Sequence, residues 1–184
     1  MPTVFTHAAV PLMLGAAAGR RRVNGRLLVV GALAAMLPDA DVIGYALHVP
    51  YASTFGHRGA THSIVFAVFC AMLAALCCRS LRASPWGAAA FVGLAVLSHP
   101  LLDAFTKGGL GVELLWPLNH ARWLAPVHPI AASPIGTRFF SARGWHVMQS
   151  ELLWVWLPTA IMAIFILWRR MPAAHGAMSG KRPQ

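Results

Sequence analysis

Charged side chains are scarce in this sequence, and acidic ones scarcer still. Asp, Glu, Lys and Arg make up 11% of 184 residues, with five acids against fifteen Lys and Arg, where soluble domains carry about 25% charged residues. With 58% hydrophobic residues, a soluble globule could not cover its own surface, and a disordered chain would not be so apolar. Cysteine is nearly absent. Cys70, Cys77 and Cys78 sit in one apolar stretch with no C-x-x-C pair, which argues against a disulfide framework or thiolate zinc site and reads as small buried hydrophobes. There is no repeat period for a fibrous fold, no G-x-S-x-G for a serine hydrolase and no H-E-x-x-H for a zinc peptidase. What is left is an integral membrane protein.

The net charge of +10 raises nucleic-acid binding, but its distribution argues against that partner. Ten of the fifteen cations fall in three groups: Arg20, Arg21, Arg22 and Arg26; Arg79 and Arg82; and Arg169, Arg170, Lys181 and Arg182. Each group borders an apolar stretch, and no basic helix or aromatic–basic strand accompanies them. They read as cytoplasmic topology signals, with the lipid bilayer as partner. Five candidate spans lie between the charges, about Val4–Gly19, Val23–Leu37, His62–Cys78, Pro85–Leu102 and Leu152–Trp168. All are shorter than the ~20 residues of a full span. The second is the shortest, because Pro38 biases Leu37 out of the helical region.

The first span has its cations on its C-terminal side and no basic n-region, so it reads as a membrane helix with its N-terminus outside and not as a signal peptide. The expected fold is an all-α integral membrane protein, a bundle of about five short transmembrane helices. Residues 1–171 would form one transmembrane domain, with a long outer loop at about 104–150 between helices 4 and 5 that packs over the outer ends. Residues 172–184 would be a disordered, basic cytoplasmic tail. This arrangement puts all five acids and eight of the nine histidines on or near the outer face.

Four separated pieces of sequence bring metal-ligand residue types to that face: His7; Asp39 and Asp41 in L-P-D-A-D; His57 and His62 in G-H-R-G-A-T-H-S; and His99 and Asp103 in S-H-P-L-L-D. His99 and Asp103 are four apart and share one face of a helix that Ser84 caps and Pro85 starts. Asp39 and Asp41 are costly near a bilayer and repel each other unless a cation or proton lies between them. In the third piece, Thr61 or Ser63 can cap the next helix with His62 in its first turn, and Gly59 gives the backbone freedom to fold His57 back over it. Imidazole with carboxylate suits a divalent ion, Zn²⁺ first with Mn²⁺ or Mg²⁺ as alternatives, and either one or two ions. The expected ligands are His7, Asp39, His57, His62, His99 and Asp103. Asp41 is a ligand or a general base, and Arg58 and Lys107 are expected to steady developing negative charge.

With these residues laid out, the sequence resembles the YdjM-like, LexA-regulated family of membrane-bound metal-dependent hydrolases. The resemblance rests on His7, P-D-x-D at Pro38–Asp41, H-R-G-x-T-H-S at His57–Ser63, H-P-L-L-D at His99–Asp103, Thr106 and L-L-W-P at Leu114–Pro117. It implies a multi-pass protein of the bacterial inner membrane, with hydrolase activity and a phospholipase-like role. The site would face the periplasm at headgroup depth, so an amphiphilic, phospholipid-like ester is the expected substrate. The alternative is a non-catalytic, metal-stabilised membrane scaffold or a small transporter. The sequence does not fix the oligomeric state.

Overall fold

Serine caps start two of the helices where the sequence signals them. The Ser63 hydroxyl accepts from the Phe66 amide at 3.1 Å, and the Ser84 hydroxyl accepts from Gly87 at 3.1 Å with Pro85 at the first helical position. The computed structural model describes residues 1–134 and 136–171; the expected tail at 172–184 lies outside the described residues. In chain order the elements are α1 (Val4–Ala18), α2 (Gly25–Met36), a 3₁₀ segment (Leu37–Val42), α3 (Ile43–Ala46), a 3₁₀ turn (Ala60–His62), α4 (Ile64–Leu76) and α5 (Cys78–Leu81). There follow α6 (Pro85–Ala104), a 3₁₀ turn (Gly136–Phe139), α7 (Ala142–Glu151), a π turn (Leu152–Trp156) and α8 (Leu157–Arg170). The protein is all-α, as expected, with only two isolated bridges and no strand among the described residues.

Among the described residues, three helical stretches are long and apolar enough to cross a membrane: Gly25–Ala46, Pro85–Ala104 and Ala142–Arg170. Val4–Ala18 and Ile64–Leu76 are shorter apolar helices. Two expectations change. The second span is not the shortest, because Leu37 keeps helical dihedrals (φ −61°, ψ −37°) and the chain passes Pro38 by tightening into a 3₁₀ turn. Pro38 cannot donate to the α-helical ladder, and the tighter turn absorbs that loss without a break. The last span starts ten residues earlier than expected, because α7 runs through the π turn into α8.

Helix α6 is the hub, packing on α4 and α2, while α1 packs on α2 and α8. Phe91 of α6 wedges between α1 and α2 at two glycines. A Cβ on Gly31 would lie 2.3 Å from the Phe91 ring, and one on Gly15 2.8 Å from it. Small residues let helices approach this closely where lipid gives no hydrophobic drive for association. The core around this wedge includes Leu27, Ala67, Ala88, Val92 and Val96. Of the cysteines only Cys70 is buried; Cys77 is exposed and Cys78 half-buried, so the buried reading holds for one of three. Large apolar residues such as Phe69, Leu76, Ile164 and Phe165 face outward, as a lipid-facing surface requires.

The segment after α6 folds over one end of the bundle. Ala125 donates its amide to Ala104 O at 3.0 Å, Lys107 to Ile130 O at 2.8 Å, and Ile64 at the start of α4 to Leu114 O at 3.0 Å. Val112, Ala104 and Ala125 form a small core under it. At the same end, Glu151 is fully buried and ties α7 to the start of the chain. It accepts from the Thr3 amide (2.6 Å), the Thr3 hydroxyl (2.6 Å) and the Thr6 hydroxyl (2.5 Å), while Trp156 Nε1 donates to Thr6 Oγ1 at 2.8 Å. Removing one shared acceptor strands several buried donors. Glu151→Ala is therefore expected to lower stability by about 3 kcal/mol, read as the unfolding midpoint in detergent, and Glu151→Gln by clearly less because it keeps an acceptor oxygen.

Candidate metal centre

The elements run alternately up and down, so the start of α1, the end of α2, the start of α4 and the end of α6 meet under the cap. Each brings a ligand-type side chain. His7 lies one turn into α1, Asp39 in the 3₁₀ segment beyond α2, His62 in the 3₁₀ turn before α4, and His99 and Asp103 on the last turns of α6. His7, His62, His99 and Asp103 are 0% exposed and Asp39 is 5% exposed. Asp39, His62, His99 and Asp103 each offer a ligand atom, and these atoms all lie within 4.8 Å of one another. His99 Nε2 is 3.4 Å from Asp39 Oδ1, His62 Nε2 is 3.4 Å from Asp103 Oδ2, and His62 Nε2 is 3.9 Å from Asp39 Oδ1. Ligands at about 2.0–2.2 Å around a tetrahedral ion sit roughly 3.3–3.6 Å apart, so the spacing is close to what such an ion needs.

Apart from one another and the Arg58 guanidinium, the inward-facing atoms have nothing to bond. His62 Nε2, His99 Nε2 and both oxygens of Asp39 and of Asp103 are buried without a hydrogen-bond partner, although buried polar groups are almost always satisfied. The outward-facing nitrogens, by contrast, are held. His99 Nδ1 is 2.7 Å from the Ala35 carbonyl; a carbonyl only accepts, so Nδ1 carries the proton and Nε2 presents its lone pair inward. His62 Nδ1 sits 3.2 Å from Asp41 Oδ2. His7 stacks on His99 with ring centroids 3.6 Å apart, its Nε2 is 3.8 Å from Asp103 Oδ1, and neither of its nitrogens has a partner. These residues could hold a divalent ion.

The comparison with known proteins bears on the same residues. The family described as YdjM inner membrane protein matches residues 1–176, which takes in every side chain of the cluster. Inner membrane protein YbcI of Escherichia coli (strain K12) is 44% identical over 172 residues, covering 92% of this chain and 99% of its own length. The chain belongs to the YdjM family of inner membrane proteins. No solved structure matches it.

In this YdjM-family chain Asp41, His57 and Arg58 form a layer behind the cluster, and Lys107 lies apart from it. Asp41 takes His57 Nδ1 at 2.6 Å on one oxygen, and the Arg58 amide (3.1 Å) and Thr61 hydroxyl (2.8 Å) on the other. Asp41, His57 and His62 form a second group with metal-ligand geometry, but Asp41's oxygens already accept from its neighbours. A 3₁₀ turn has about three residues, so Asp39 and Asp41 point in different directions, one to the cluster and one to the loop of His57. Arg58 is buried, its Nε 2.9 Å from Asp103 Oδ2 and its Nη1 donating to Gly108 O at 3.1 Å. The turn's left-handed residue is Arg58 (φ +67°), not Gly59. Gly59 is needed for space instead, since a Cβ there would lie 2.0 Å from Thr54 O. His62 precedes the α4 cap at Ser63 and does not sit in the first turn of that helix. Lys107 is exposed on the cap, and Thr106 is buried with its hydroxyl donating to Leu102 O at 2.9 Å.

Sequence reasoning missed Arg122 and Glu113. Arg122 donates to the carbonyls of His57 (3.2 Å), Tyr51 (3.2 Å) and Ser53 (3.1 Å) and pairs with buried Glu113 at 3.1 Å. Glu113 in turn donates its amide to Arg58 O at 3.0 Å. Both therefore hold the His57–Arg58 loop. Glu113 could have been suspected, as one of only five acids in so apolar a chain; nothing marks Arg122.

Burial disfavours a charged His62, but the carboxylates of Asp103 and Asp41 outweigh it and raise its pKa to about 9. In the cation-free protein His62 thus holds a proton that an incoming cation must displace. From this group alone, apparent Zn²⁺ affinity is expected to rise about tenfold per pH unit between roughly pH 6 and 8, measured by titration calorimetry. A flat affinity over that range would remove His62 from the ligand set.

Proposed function

We propose that this protein is a divalent-metal-dependent hydrolase of the inner membrane that cleaves a phosphoester or ester of an amphiphilic, phospholipid-like substrate. One observation carries the reading. Asp39, whose carboxylate oxygens are themselves buried, also forms part of the wall of a cavity of about 340 Å³, so the cluster lies directly behind that cavity. That cavity is otherwise mainly apolar, lined by residues such as Val4, Phe5, Val42, Pro134 and Phe140. A carboxylate from the cluster beside an apolar cavity suits a substrate with a polar ester and a hydrocarbon arm. The orientation that puts this end at the periplasmic face rests on the Arg20–Arg26 and Arg79–Arg82 groups at the other end.

Asp39, His62, His99 and Asp103 would hold the ion, with His7 as a further ligand. A divalent cation held there supplies Lewis acidity and lowers the pKa of water. Zn²⁺ fits the two imidazoles and two carboxylates best. Asp41 fixes the His62 ring through Nδ1 and orders His57, so the favoured role for Asp41 is orientation, with His57 beside it. Arg58 brings a positive charge to the edge of the site and would counter the charge that builds on the ester oxygen; Lys107 on the cap is the second candidate for that task. The full burial of His7, His62, His99 and Asp103 favours, as a second reading, a closed site that holds the helices together without catalysis. Transport is less well supported, because the ionisable groups gather at one end.

Metal content by mass spectrometry separates these readings when paired with turnover of a labelled phospholipid and a soluble phosphodiester. Wild type is expected to carry stoichiometric metal, His62→Ala and Asp103→Ala less than a tenth of it, and turnover is expected to fall with metal. Metal without turnover of either ester would leave the scaffold reading, and metal-free wild type prepared without chelator would sink both. Val4→Trp, which fills the cavity, is expected to lower kcat/KM on the phospholipid at least tenfold while leaving the soluble ester within about twofold.

A further inference from the structure

At the opposite end of the bundle a second cavity, about 840 Å³, opens between the turn joining α1 to α2 and the segment from α5 into α6. Five arginines line it: Arg20, Arg21 and Arg22 from the first turn, and Arg79 and Arg82 from the second. All five are exposed, and none takes part in an ion pair among the described residues. No acid of the chain belongs to either turn, since the five acids lie at positions 39, 41, 103, 113 and 151. The two turns are fastened to each other. Asn24 Nδ2 donates to Leu81 O (2.9 Å) and Arg82 O (3.0 Å), and Arg26 Nη1 donates to Ser80 O (3.0 Å). The inner wall is apolar, with Val23, Phe91 and Leu94.

We propose that this cleft binds the headgroup of an anionic phospholipid from the adjacent leaflet. Topology signalling asks only that cations flank the spans. It does not ask that two turns more than fifty residues apart in sequence be hydrogen-bonded together so that their arginines line one cavity. Guanidinium groups match phosphate oxygens in pairs, and an acid-free cluster of five lining one cleft attracts an anion. The apolar wall on α6 selects among phosphates: it gives a glycerol backbone and the first methylenes of an acyl chain a place to lie, which a free phosphate would not use. Each arginine near an anionic membrane surface is worth about a fivefold gain in lipid binding.

Native mass spectrometry of the full chain in detergent tests this with phosphatidylglycerol and phosphatidylcholine at equal concentration. Wild type should retain one phosphatidylglycerol at least tenfold more tightly than phosphatidylcholine. Arg79→Gln and Arg82→Gln together should weaken that retention about 25-fold, while the Arg20–Arg26 group keeps the orientation signal intact. Arg169→Gln, which removes a cation at the same end outside the cleft, should change it less than twofold. Equal retention of the two lipids by wild type would overturn the proposal without any variant. So would an equal loss in Arg169→Gln, or displacement of the lipid by equimolar inorganic phosphate.

Discussion

The repulsion and desolvation of Asp39 and Asp103 set the terms for everything at one end of this molecule. Two carboxylates approach a shared space among three imidazoles, with their oxygens buried and only Asp103 paired to a cation, Arg58. Such an arrangement costs several kcal/mol per ion unless positive charge enters it. In the protein alone that charge comes from Arg58, paired with Asp103, and from the proton drawn onto His62. A divalent ion would replace the proton and satisfy the remaining atoms at once. The helices are arranged to make this possible, each delivering its polar residue at the same end and leaving the intervening turns apolar at mid-bundle.

Much of this was legible in the sequence because polar residues in so apolar a chain are individually conspicuous. His99 and Asp103, four apart on a helix with a Ser-Pro start, had only one face to share, and the structure brings both into the cluster. Charge sorting gave the helix order and the end at which the acids collect. What was not legible depended on close packing or on which groups remain unpartnered. The sequence marks Asp39 as a ligand but leaves Asp41 between ligand and base; the 3₁₀ turn sends the first to the cluster and the second to the loop behind it. Nor does the sequence show that Arg58, expected to meet a substrate, is also the ion-pair partner of Asp103. Arg122 carries no signal at all, since apart from Glu113 its polar contacts are backbone carbonyls scattered over a loop.

Membership of the YdjM family fixes the membrane class of the chain, and the family and relative names carry no chemistry. The proposed chemistry rests on the geometry: four ligand atoms within 4.8 Å of one another, an apolar cavity walled in part by Asp39, and a supporting layer that orients the rings. The same physical logic recurs at the opposite end with the sign reversed, where guanidinium groups gather without any acid.

The passage of the chain through Pro38 has one more consequence. In an uninterrupted α-helix the Ala35 carbonyl would accept from the amide of residue 39, and in a 3₁₀ turn from that of residue 38. The switch to 3₁₀ over Leu37–Val42 redirects the first amide to residue 36, and the second position is a proline with no hydrogen to give. The Ala35 oxygen is thereby left over from the helix, and His99 Nδ1 takes it. A hydrogen missing from one helix thus decides which nitrogen is bare on another.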